Sequence, residues 1–123
     1  PECPEGVSVI ISQMSCDTGT VNITFMNKGL YDVDGIYIKA SASENGNFNI
    51  TLNPENQNVV FGSNGFFHIG VGKLKPGRSY DNIQFGYAGT SIKRVQIQPF
   101  FDDESSDNPV VCEKAAAVYK CIP

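Results

Sequence analysis

From residue 20 to residue 101 the chain alternates apolar and polar residues in short runs, and Asn, Gly and Pro interrupt those runs at close intervals. Successive side chains of a strand project to opposite faces, so this pattern builds antiparallel sheets with one buried face. The clearest run is Val21-Asn22-Ile23-Thr24-Phe25-Met26, with Val21, Ile23 and Phe25 facing inward and Asn22, Thr24 and Met26 outward. Asn27-Lys28-Gly29 stops it, and Ile36-Tyr37-Ile38-Lys39-Ala40 starts the next alternation. Asn, Gly, Ser and Thr are abundant, which suits strands joined by tight turns.

Strands are expected over residues 7–14, 21–26 and 35–42. A hairpin turn at Asn45-Gly46 should lead into a fourth strand carrying Phe48, Ile50 and Leu52, ended by Pro54. Residues 53–65 read as a long surface loop with a brief edge strand at Val59-Val60-Phe61. Further strands are expected over 66–71, 80–87 and 91–100, the last ending near Pro99, with a turn at Lys75-Pro76-Gly77-Arg78. Residues 113–120 contain three alanines that favour a helix, but the segment is short and uncapped and reads as a closing strand. At 123 residues the whole is one domain. The predicted fold is an all-β, immunoglobulin-like antiparallel β-sandwich of about seven to nine strands.

Cys3, Cys16, Cys112 and Cys121 lie near the two ends of the chain, without Cys-x-x-Cys spacing and with a single histidine in the sequence. Such a layout favours disulfides formed in an oxidising compartment over zinc. Four cysteines allow three pairings. Parallel first and last strands, as in many immunoglobulin-like sandwiches, would join Cys3 to Cys112 and Cys16 to Cys121, and this arrangement is favoured. Antiparallel ones would join Cys3 to Cys121 and Cys16 to Cys112, and two local bridges would bend each strand back on itself. No apolar run reaches membrane-spanning length and no signal peptide is present, so the gene product is expected to begin before Pro1 with a signal or an anchoring helix.

A net charge of −4 argues against a nucleic-acid binder, which needs a clustered basic surface. Lys73, Lys75, Arg78, Lys93 and Arg94 read as solvated turn and strand-face residues. Asp102, Asp103, Glu104 and Asp107 lack the Gly and distal Glu of a calcium loop, and Asp32 with Asp34 reads as a β-turn whose acids cap backbone amides. His68 has no nucleophile motif beside it. No catalytic residue, cofactor or metal is expected. Asn22-Ile23-Thr24 and Asn49-Ile50-Thr51 are N-glycosylation triplets on accessible positions.

Val21 to Gly29 with Val33-Asp34-Gly35-Ile36-Tyr37-Ile38, then Leu74-Lys75-Pro76-Gly77-Arg78-Ser79, then Ile92 to Phe100 resemble, in this order, the CARDB-like immunoglobulin-type modules of prokaryotic surface proteins. With Val110-Val111-Cys112 and the flanking cysteines, the chain is similar more narrowly to the C-terminal β-domain of archaeal type IV pilin-like and archaellin-like proteins. The resemblance implies an extracellular, non-catalytic domain facing outward from a surface filament, whose copies would assemble through an N-terminal helix that these residues do not include. It also makes residues 53–65 and 102–107 the expected contact regions. The alternative is an adhesive or carbohydrate-binding module of a larger surface protein. Its sugar platform, without Trp, would have to use Tyr31, Tyr37, Tyr80, Tyr87 or Phe101.

Overall fold

The computed structural model describes residues 3–56, 58–89 and 91–122. The expectation about Pro1 falls outside them. The strands are β1 (Val9–Asp17), β2 (Thr20–Asn27), β3 (Gly35–Ser41), β4 (Asn53–Pro54), β5 (Val60–Ser63), β6 (Phe66–Ile69), β7 (Ser79–Gly86), β8 (Arg94–Phe101), β9 (Val110–Val111) and β10 (Ala117–Lys120). The count passes the expected range because β4 and β9 are fragments of two residues each.

These strands form two antiparallel sheets, one in the order β1-β2-β7-β4 and the other β10-β8-β3-β6-β5, with β9 also on β8. Reading β1, β2, β3, β4, β7, β8 and β10 as A to G gives the ABED and GFC sheets of an immunoglobulin-type sandwich. The β5–β6 hairpin extends the second sheet beyond β3. Val21, Ile23, Phe25, Ile83 and Phe85 of one sheet face Ile36, Ile38, Phe67, Val95 and Ile97 of the other, all of them buried. Phe67 and Phe85 meet between the sheets with ring centroids 5.4 Å apart.

The first strand shows how a local irregularity places a cysteine. Val9 and Ile11 point inward, as the alternation requires, but the register shifts between Ile11 and Gln13. Beyond this bulge the inward set changes parity to Met14 and Cys16, which pack against the core. Cys16 is thereby aimed at the opposite sheet and bonds Cys121, while Cys3 bonds Cys112. This is the pairing favoured from the sequence. β1 and β10 do run in the same direction, but in different sheets, so the Cys16–Cys121 bridge crosses the sandwich.

Three expectations need correction. Residues 48–52 form no strand: Ile50 makes an isolated bridge with Ala40, and the chain then crosses to pair Asn53–Pro54 with β7. The hairpin turn is Asn64-Gly65, not Asn45-Gly46. Asn64 (φ 56°) and Gly65 (φ 90°) supply the two positive φ angles such a turn needs, whereas the Gly46 amide donates to Ser43 Oγ at 2.6 Å within a bend. Composition cannot separate two Asn-Gly pairs; the pairing of β5 with β6 on either side of the turn does. Residues 53–65 are accordingly not one surface loop, for β5 holds Val60 in the core, although it is the edge strand expected.

β8 ends at Phe101, near Pro99 as expected, with Pro99 itself inside the strand. Its carbonyl accepts the Cys112 amide, and an antiparallel residue directs its N–H and C=O to the same side. The missing Pro99 N–H therefore faces the 3-10 turn Glu113–Ala115 that interrupts the edge between β9 and β10. Of residues 113–120, only Ala117–Lys120 are strand.

Asn27 organises one end of the sandwich. Buried to 1% exposure, it donates through Nδ2 to the carbonyls of Tyr31 and Leu74, each at 2.9 Å, and accepts the Gly29 amide at Oδ1. The Gly29 position approaches the backbone of Gly6 and Ser8 too closely for any Cβ. Asn27→Ala strips partners from two carbonyls at once and is expected to cost about 2–3 kcal/mol in a urea titration. A loss under about 0.5 kcal/mol would mean that water replaces the amide.

Candidate functional site

The end of the sandwich where β1 begins is termed proximal, and the end where β1 finishes distal. At the proximal end the acids and bases from separate stretches of sequence come together. The Asp102 amide donates to Asp34 Oδ2 at 2.7 Å, Lys73 Nζ lies 3.7 Å from Asp34 Oδ1, and His68 Nε2 lies 3.0 Å from Asp102 Oδ2. Lys75 and Asp32 pair at 3.9 Å. Asp103 accepts the Ser105 hydroxyl at 2.7 Å and its amide at 3.0 Å, and these bonds hold its carboxyl below the usual range. Only Asp103 caps its own turn; Asp34 accepts an amide 68 residues away and Asp32 pairs with Lys75 instead of capping the local amides expected, and the exposed pairs contribute at most about 1 kcal/mol each.

His68 meets Asp102 and the edge of the Phe100 ring, 5.3 Å away between centroids. No hydroxyl or thiol is hydrogen-bonded to it among the described residues, so the dyad has no nucleophile to activate. Among the described residues, no three His, Cys, Asp or Glu side chains converge as metal ligands.

At the distal end an open cavity of about 550 Å³ lies beside the Cys16–Cys121 bridge, lined in part by Asp17, Glu44, Lys93, Arg94 and Lys120. Arg94 is already engaged. Its guanidinium donates to the carbonyls of Ser43 and Gly46 and to Ser41 Oγ, and it stacks 4.5 Å above Phe48.

The aromatic candidates divide by role. Tyr87 is buried, donates to the Asp17 carbonyl at 2.7 Å and accepts the Ile92 amide. Tyr80 accepts the Lys75 amide at 3.0 Å across the Leu-x-Pro-Gly turn. Phe101 packs against the core, and Tyr31 is exposed in the β2–β3 loop. Tyr37 alone joins a larger aromatic group, on the outer face of the second sheet, whose other members Phe61, Phe66 and Phe100 the sequence reading did not single out. A signal was present: Phe66-Phe67 and Ile36-Tyr37 set bulky residues on both parities of one strand, so both faces of the sheet must hold them.

Of the glycosylation triplets, Asn22 lies within β2 between Ser15 of β1 and Gln84 of β7, half-buried, with Thr24 only 8% exposed. Asn49 is exposed on the connection from β3 to β4.

Fold and site together define a disulfide-stapled β-sandwich of immunoglobulin-type strand order, of the kind that oxidising compartments hold. Compared with known protein families, characterised proteins and solved structures, the chain gives no match.

Proposed function

We propose that this chain is the outward-facing structural domain of a surface filament subunit of the archaeal type IV pilin-like or archaellin-like kind, extracellular and non-catalytic. The observation that carries this reading is the pair of bridges that tie the N-terminal stretch, before and within β1, to the C-terminal stretch around β10. A domain held outside the cell must resist unfolding and proteolysis without chaperones or a reducing environment, and such stapling provides that resistance. The two turn motifs behind the family resemblance also meet in space, through the bond from Asn27 Nδ2 to the Leu74 carbonyl.

The test is to shear surface appendages from cells that encode the chain and to sequence the native polypeptide in the filament fraction. The reading expects this domain to follow an apolar helix of about 20 residues. Recovery only as a soluble secreted protein, or within a larger enzyme, would sink it.

In a host that modifies such triplets, Asn49 is the expected acceptor because it stands clear of the ladders that flank Asn22. Intact mass should fall by one glycan in Asn49→Gln and stay unchanged in Asn22→Gln; the reverse result would contradict this assignment.

A further inference from the structure

The outer face of the second sheet carries aromatic side chains that the interior does not use. Phe61 of β5 lies opposite His68 of β6, Phe66 of β6 opposite Tyr37 of β3, and Tyr37 opposite Gln98 of β8. All point outward, since Val60, Phe67, Ile36 and Ile97 occupy the inner positions. Phe61 is 46% exposed, and Tyr37 and Phe66 are half-buried with ring centroids 4.5 Å apart and planes inclined at 45°.

Phe100 supports this group from below. It is buried yet separate from the inter-sheet core, with its ring lying over Gly35, where any Cβ would strike it, and with edge contacts to Phe66 and His68. The exposed rings therefore stand on a rigid base. Two strands across and two residues along, Phe61 and Tyr37 are about 12 Å apart, close to the span of a disaccharide.

Of the charges on this face, Lys120 of β10 stands exposed at the far corner opposite Arg94 with no partner among the described residues, and those nearer the rings are engaged. Lys39 Nζ donates to Thr51 Oγ1 at 3.0 Å, Arg94 is held by Ser41, Ser43 and Gly46, and His68 is paired with Asp102. What remains between the rings and Arg94 is neutral and polar: the half-buried amides of Gln96 and Gln98. Beside the rings an anionic polymer would find no free cation among the described residues, since Lys120 lies two strands across and four residues along from Tyr37. A protein partner sealing the face dry would have to satisfy both amides under burial, whereas sugar hydroxyls supply donors and acceptors wherever the amides need them.

We propose that this face binds a neutral glycan, with the apolar C–H faces of sugar rings on Phe61, Phe66 and Tyr37 and the hydroxyls on Gln96 and Gln98. The assignment stands apart from the filament reading and holds equally for a domain of another surface protein.

The test is electrophoresis of the intact, oxidised chain through gels containing a neutral glucan, mannan, xylan or galactan, with alginate as the anionic comparison. At least one neutral polymer is expected to retard it. Phe61→Ser, at an exposed position outside the core, and Gln98→Ala should each weaken that retardation about 3- to 10-fold, while Leu30→Ser, far from the face, should not. No retardation by any neutral polymer, retardation only by alginate, or equal retardation of wild type and Phe61→Ser would overturn the proposal. So would self-association of the free chain in sedimentation that Phe61→Ser abolishes, because a second copy would then own the face.

Discussion

Replacing all four cysteines by serine is expected to cost about 8 kcal/mol, and the two bridges will not contribute independently. Either bridge alone closes a loop of more than a hundred residues, with sequence separations of 109 and 105, worth about 4.7 kcal/mol in the chain-entropy model. Once one is formed, however, the other closes only a ring of about 22 residues, made of the roughly 13 from Cys3 to Cys16 and the roughly 9 from Cys112 to Cys121, worth about 3.4 kcal/mol. Losing the first bridge should therefore cost about 3.4 kcal/mol and losing the second about 4.7. Since a domain's whole stability is about 5–15 kcal/mol, the double variant should be largely unfolded or marginal. Denaturant titration of the wild type, Cys3→Ser/Cys112→Ser, Cys16→Ser/Cys121→Ser and the quadruple variant measures the cycle. Equal first and second losses would show that the bridges act locally and not through the unfolded chain.

Phe85→Ala is the next largest expected effect, about 3–5 kcal/mol. Phe85 is 1% exposed, pairs with Val21 on one side and Pro54 on the other, and reaches across to Phe67 of the opposite sheet. Its removal opens a void between the layers that neither sheet can close, because each is fixed by its own ladder and by the bridges. Phe85→Leu retains most of the volume and should recover most of the loss. Thermal or urea unfolding with the disulfides intact decides the matter, and a cost below about 1 kcal/mol for the alanine variant would mean that the sheets collapse onto one another.

The inner faces were legible because the alternation of β2, β3 and β8 survives in the structure almost residue for residue. Where the reading failed, a long-range choice decided the outcome. Asn45-Gly46 and Asn64-Gly65 are equivalent as local signals, and only the pairing of β5 with β6 selects the second. The inward turn of Cys16 depends on a bulge near Ser12 that nothing in Val-Ile-Ile-Ser-Gln-Met announces. Pro99 is tolerated within β8 because the gap between β9 and β10 that accommodates it is formed by residues further along the chain. The outer aromatic face was hidden for a related reason. Tyr37, Phe66 and Phe100 come from three strands, and the vacancy that Gly35 leaves for the Phe100 ring is visible only once β3 and β8 are side by side.

The overlapping bridges also set how far this domain can lengthen when pulled. Between Cys3 and Cys121 the shortest covalent route is one sulfur bridge and about 9 residues, a contour near 35–40 Å, whereas the open chain between them would extend to roughly 400 Å. The nine residues of β1 already span about 30 Å in the folded state. Tension applied at these two points thus finds almost no slack to release: the sandwich around β2 to β8 hangs on the covalent ring as a side loop, and the domain behaves as a link of nearly fixed length even if its core melts.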